Sequence, residues 1–177
     1  MKARLILSLL VLLIYSCDKP VPRGPLNKSS SSSITKSVDF NKEIVNRQKL
    51  VIDHKLSLEQ HKNYELYPLG FYKYISLAGD EKTFPKIGQI VVFQSEFYTL
   101  ADQALYTDEE GSSSIQELVL GQEDGIIGLI EALATMSKGE EAEVILPSYK
   151  AYGLMGDGNK IGANTPIIVK LKLIDIK

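Results

Sequence analysis

The pattern of apolar and polar positions changes several times along the chain. Residues Leu5 to Ile14 are almost uninterrupted apolar sequence behind a short positive start, Lys2 and Arg4. This run is about half of the roughly 20 residues that a membrane-spanning helix needs, so it reads as a secretory signal. From Asp18 to Lys36 the chain is rich in Pro, Lys and Ser, with serine unbroken from Ser29 to Ser33. Such a stretch buries too little apolar surface to offset its ordering entropy, which predicts a flexible stalk. From Ser37 to Tyr64, Phe40, Ile44, Val45, Val51 and Ile52 recur mostly at helical spacing, and Ser57 with Gln60 forms a possible capping box for a second short helix.

Beyond Pro68 the texture is that of strands. Gly70–Leu77, Gln89–Leu100, Ala104–Thr107 and Ile115–Leu120 are candidates. In the strongest of them, Val91, Phe93, Ser95 and Phe97 share one face and Val92, Gln94, Glu96 and Tyr98 the other. Between Gly125 and Met136 the period becomes helical, with Ile126, Leu129, Ile130, Leu133 and Met136 on one stripe and Gly139 as the stop. Two further strands, Glu140–Leu146 and Pro166–Ile176, flank a glycine-rich loop, Gly153–Thr165. The expected fold is α+β: a curved antiparallel sheet wrapped around one amphipathic helix, preceded by a short helical segment. The expected domains are 1–16 signal, 17–36 linker, 37–67 helical segment and 68–177 globular domain.

Composition narrows the function classes. The net charge is −2, and no two Lys or Arg residues are adjacent, which excludes the broad basic surface that nucleic acid requires. His54 and His61 belong to no metal-ligand pattern, and no cofactor motif is present. Cys17 is the only cysteine, so the exported chain has no internal disulfide. Ile14-Tyr15-Ser16-Cys17 resembles a bacterial lipobox, which implies lipidation of Cys17 and a cell-envelope location. A plain signal peptide with an incidental cysteine is the alternative. Inner against outer membrane, oligomeric state, and whether the helical segment packs locally or forms a dimer arm stay open.

Four pieces then carry a family resemblance. They are Lys82-Thr83-Phe84-Pro85-Lys86-Ile87-Gly88-Gln89, Leu120-Gly121 followed by Gly125-Ile126-Ile127-Gly128-Leu129, Met136-Ser137-Lys138-Gly139-Glu140-Glu141-Ala142, and Pro147-Ser148-Tyr149-Lys150-Ala151-Tyr152-Gly153. In this order and spacing they resemble the FK506-binding (FKBP-type) peptidyl-prolyl isomerases from Gly70 to Lys177. A small insertion falls between Gln94 and Tyr106. The lipobox, the helical segment and the loop Gly156–Ile167 look like the gliding-motility-associated lipoprotein branch of that family.

The resemblance implies an isomerase of proline-containing polypeptides, working without metal or cofactor. Tyr152 and Ile126 would be catalytic: the Ile126 N–H would receive a substrate carbonyl, and Tyr152 would offer its hydroxyl to the substrate backbone. Tyr106, Leu129, Ile161 and Val169 would bind substrate as walls, floor and rim, although Leu129 reads equally as a core residue. Gln94 and Gln116 would stand where the family has pocket aromatics, and Thr107 where it has an acidic residue. Those departures imply a wider, more polar pocket. A catalytically weak binding module, or an adaptor in a surface complex, is the alternative function.

Overall fold

The computed structural model describes residues 31–79, 83–106, 114–122 and 125–177, and the side chains from 35 onward. Cys17, the signal segment, most of the stalk, Lys82 and Thr107 lie outside the described residues. The chain divides into two units, Met1–Ser37 and Val38–Lys177, and all packing below lies within the second.

The first described element, α1, is one helix, Ser31–Leu58. It begins inside the serine run that composition assigned to the stalk. No second helix follows: the Ser57 hydroxyl donates back to the His54 carbonyl within the same helix, so Ser57 is not a cap. The buried stripe of α1 is Gln48, Ile52 and Lys55, whereas Phe40, Val45 and Val51 are exposed. After α1 come β1 (Glu65–Leu66), β2 (Tyr72–Leu77), β3 (Ile90–Tyr98), β4 (Gln116–Val119), α2 (Ile127–Ala134), β5 (Glu141–Leu146), a 3-10 turn (Ser148–Lys150) and β6 (Ile167–Ile176).

The six strands form one antiparallel sheet in the order β1-β2-β5-β6-β3-β4. This corrects the expectation of a curved sheet wrapped around one helix. The sheet is open, with β1 and β4 as unjoined edges, and it does not curl or close. Two register shifts, at Ile75/Leu77 and Val92/Phe93, interrupt its ladders without bringing the edges together.

A physical reason lies in how the two faces are covered. Along β5 and β6 side chains alternate between faces. Val144, Leu146, Ile167 and Val169 pack with Leu129, Ala132 and Leu133 of α2. Ile145 and Ile168 pack instead with Ile52 and Leu56 of α1. Each face has its own helix, so apolar burial does not require the sheet to fold around α2, which is only about 12 Å long at 1.5 Å per residue.

Beyond Tyr98 the chain turns through Thr99–Gln103 and returns by an Ala104–Tyr98 bridge. Ala104–Thr107 is therefore a bridge and not a strand over its described residues. This hairpin tip docks on α1: Leu100 joins the Ile52 cluster, and Asp102 pairs with Lys55 at 2.6 Å.

Candidate active site

The site grows from the meeting of α2 with the 3-10 turn. At Ser148–Lys150 the backbone closes on itself, with the Ala151 and Gly153 N–H groups both donating to the Ser148 carbonyl. That turn presents Tyr152. The start of α2 lies directly against it, because Gly128 has no side chain: a Cβ there would sit 2.8 Å from the Lys150 carbonyl oxygen and 2.7 Å from Leu146 Cδ2. Glu131, one turn further along α2, pairs with Lys150 at 2.8 Å.

Ile126 is the N-cap residue of α2 and has extended backbone angles. Its carbonyl accepts from the Leu129 and Ile130 N–H groups. No side chain caps this helix start, and first-turn N–H groups have no partner within their own helix. A carbonyl acceptor placed here would satisfy one of them.

Tyr152 and Ile126, both half-buried, pack against the same core cluster as Leu129, Ile161, Val169 and Tyr106. Burial pushes the Tyr152 hydroxyl above the ordinary tyrosine range, so it stays protonated and is a donor throughout the physiological range. Tyr106 meets Phe97 edge to face at 6.2 Å between ring centres, and the Lys160 ammonium lies over the Tyr106 ring at 5.3 Å from its centre. The loop that carries Lys160 is held from within. Asp157 Oδ1 accepts from the Asn159 and Ile161 N–H groups at 2.8 Å, and the Asn164 N–H donates to the Gly153 carbonyl.

The eight site residues expected from sequence are not all brought together. Val169 is 0 % exposed and Ile161 2 %, so they support the cluster from beneath and do not form a rim. Leu129, 8 % exposed, is a core residue of the same cluster. Gln116 stands opposite Phe93 on the α2 face of the sheet. Gln94 is on the other face, lining a cavity of about 510 Å³ with Glu96, Lys170 and Lys172. That cavity is charged, and its ions pair with one another, as in Lys172–Glu141 and Lys62–Glu143. Its ion pairs keep it from being the uniformly apolar, water-poor site that favours a twisted amide.

On β3 the neighbour of Gln94 is on the α2 face of the sheet, opposite Leu171. Ser95 is 1 % exposed, and its hydroxyl accepts from the Gln116 amide at 3.3 Å. The alternation of β3 read from sequence places Ser95 on this face with Val91, Phe93 and Phe97.

Two kinds of comparison bear on identity. The family described as FKBP-type peptidyl-prolyl cis-trans isomerase matches residues 81–174, more than half of the chain. The FK506-binding protein 1 of Eremothecium gossypii is 30 % identical over 98 residues, covering 55 % of this chain and 85 % of that protein. Among solved structures, a peptidyl-prolyl cis-trans isomerase from Pseudomonas syringae pv. tomato superposes with a TM-score of 0.63 at 18 % identity, covering 77 % of this chain and 95 % of the other. The N-terminal domain of FKBP42 from Arabidopsis thaliana gives 0.57 at 21 % identity, over 65 % and 92 % of the two chains. The two structures share the fold, and the sequence matches carry the kinship: the chain belongs to the FKBP-type peptidyl-prolyl cis-trans isomerases and is an isomerase.

Proposed function

We propose that this isomerase is held at a bacterial membrane by a lipid on Cys17 and assists the folding of exported or surface polypeptides, gliding-motility proteins being one candidate class. The sequence supports the anchor through the apolar run Leu5–Ile14, the Ile14-Tyr15-Ser16-Cys17 ending and the single cysteine. Among the described residues no helix is long and apolar enough to cross a membrane. Replacing Cys17 by Ser tests the anchor: the protein should move from the membrane fraction to the soluble fraction and stop incorporating labelled fatty acid. Retention with no label in either form would sink it.

At the site, the observation that carries the mechanism is the packing of Tyr152, Tyr106 and Ile126 on one core cluster with Leu129, Ile126 standing at the uncapped start of α2. Rotation about a prolyl amide must break its resonance, at a barrier of roughly 18–20 kcal/mol, and without help it takes tens to hundreds of seconds. Twisting reduces the amide's charge separation, so an apolar site favours the twisted form over either planar one. Ile126 N–H holds the substrate carbonyl, Tyr152 holds the neighbouring backbone, and Tyr106 closes the second wall. No bond is made or broken, so no nucleophile, metal or cofactor takes part.

We read the Ser95–Gln116 pair, on the α2 face of the sheet, as a polar part of the wall of this site. Twisted-amide stabilisation is correspondingly smaller, and the catalysis is weaker than an all-apolar wall would give. The same pair favours the second reading, a module that holds proline segments with little turnover. Exchange spectroscopy on a short Xaa-Pro peptide decides between them. Acceleration by the wild type that collapses in Tyr152→Ala supports catalysis at this site, and a folded wild type without acceleration supports the binding module.

A further inference from the structure

We propose that Gln48, on α1, is a positioning residue of the isomerase site, so that the N-terminal helix is a working part of the catalytic unit. The inference rests on the reading of Tyr152 as the catalytic hydroxyl. Gln48 is 6 % exposed, an unusual place for an amide on a helix whose flanking positions 47 and 49 face solvent. Its side chain spends both ends on the segment that builds the site. The Oε1 atom accepts from the Ser148 N–H at 2.9 Å. The Nε2 atom donates to Ser148 Oγ at 2.7 Å and to the Asn164 carbonyl at 3.0 Å.

Those two targets are the ends of the structure that surrounds Tyr152. Ser148 opens the 3-10 turn, and its carbonyl receives the Ala151 and Gly153 N–H groups on either side of Tyr152. Asn164 closes the glycine-rich loop, and its N–H donates to the Gly153 carbonyl. Asn164 also has a positive φ of 56°, a conformation that costs a non-glycine residue energy and persists where surrounding contacts hold it. Gln48 therefore ties turn and loop to one point on a rigid helix. α1 is in turn fixed to the sheet by Ile52 against Ile145 and Ile168, and by Lys55 to Asp102.

Polar atoms buried this deeply must be paired, and losing the amide leaves the Ser148 N–H and the Asn164 carbonyl without it. The turn would then be free to shift. Displacement of a catalytic group by about 1 Å costs up to about a hundredfold in rate. Because Tyr152 acts on the twisted amide, the loss belongs in kcat more than in KM.

The test compares Gln48→Ala with Ile52→Val in the full chain. Ile52→Val trims one methylene from the contact between α1 and the sheet and keeps the helix docked, so it should reduce stability without moving the turn. For each protein, kcat and KM for an Xaa-Pro peptide are measured beside thermal stability and the hydrogen exchange of the Gly153 and Asn164 amides. Gln48→Ala should lower kcat about tenfold with KM within about twofold, and speed exchange at both amides about tenfold. Ile52→Val should lower the unfolding midpoint and keep kcat within about twofold. Equal loss of kcat in both variants, or unchanged exchange at both amides in Gln48→Ala, overturns the proposal. An inactive wild type would instead overturn the isomerase mechanism on which it rests.

Discussion

Gly128 of α2 approaches the backbone of Lys150 so closely that a Cβ added to it would lie 2.8 Å from the Lys150 carbonyl oxygen. Two effects compete in Gly128→Ala. Helix propensity favours alanine by about 1 kcal/mol. Overpacking against a backbone carbonyl and Leu146 costs about 1–3 kcal/mol, and backbone cannot rotate away as a side chain can. The clash should win, lowering stability and pushing the turn that carries Tyr152 away from Ile126, with kcat/KM down about tenfold. Denaturant unfolding and peptide exchange measure both. A more stable Gly128→Ala variant would mean that the helix and turn do not meet this way.

The wall of the site gives a second prediction, in which a pair of changes should improve the enzyme. Ser95 and Gln116 satisfy each other, so removing either leaves the other's polar atom exposed to an apolar wall. Ser95→Ala with Gln116→Leu removes both together. The doubly substituted protein should raise kcat/KM about three- to tenfold, equivalent to about 1 kcal/mol of transition-state stabilisation. Gln94→Ala, on the far face of β3, should leave kcat/KM within about twofold. A loss in the double variant would show that polarity at this wall serves the substrate.

That contrast also shows how far sequence carries. The alternation of β3 was readable from Val91 to Tyr98, and it separates Gln94 from Ser95. Assigning Gln94 to the pocket was a slip of one position, which in a strand moves a side chain to the opposite face. The stripe of α2 and the order of β2, β3, β5 and β6 were legible because each is local and periodic. β1 was not, since two residues have no period. α1 was misjudged at its start because Ser31–Ser33 are poor helix formers, and at its face because Phe40, Val45 and Val51 are apolar yet exposed. The open form of the sheet and the Gln48–Ser148 contact depend on residues about a hundred positions apart. No local pattern encodes either.

Behind α2, Lys73 and Glu140 form a buried ion pair at 2.7 Å. Glu140 also accepts from the Ser137 N–H and hydroxyl, and Lys73 donates to the Thr135 carbonyl at the end of α2. Glu140→Gln strands a buried cation, which should cost about 3–5 kcal/mol. Lys73→Met strands the carboxylate at a similar cost. The double variant should lose much less than the sum, because neither charge is left alone. Urea unfolding of the four proteins measures the coupling. Additive losses would show that each residue acts through its other contacts and not through the pair.

The docking of α1 should depend on pH through Glu59. Burial works to raise the Glu59 carboxyl, but Lys55 and Lys62 outweigh it and hold the group below the ordinary range, with contacts of 2.8 and 3.2 Å. A depressed carboxylate contributes stability that is present above its unfolded pKa of about 4.3 and is lost as pH falls through the lower folded value. Lys55 and Lys62 are opposed by burial but raised by their carboxylate partners, and the Tyr64 hydroxyl is raised by burial and then by Glu143. Those raised groups contribute below about pH 10, the region of their unfolded values, and their contribution fades above it. Glu59→Gln isolates the acid limb, since glutamine resembles the protonated acid. The variant should be less stable than the wild type near neutral pH, and the difference should shrink towards zero as pH falls to about 3. A difference in unfolding midpoint that is equal at both ends of that range would assign the role of Glu59 to packing, and Lys55 and Lys62 would then hold α1 by Asp102 and Glu143 alone.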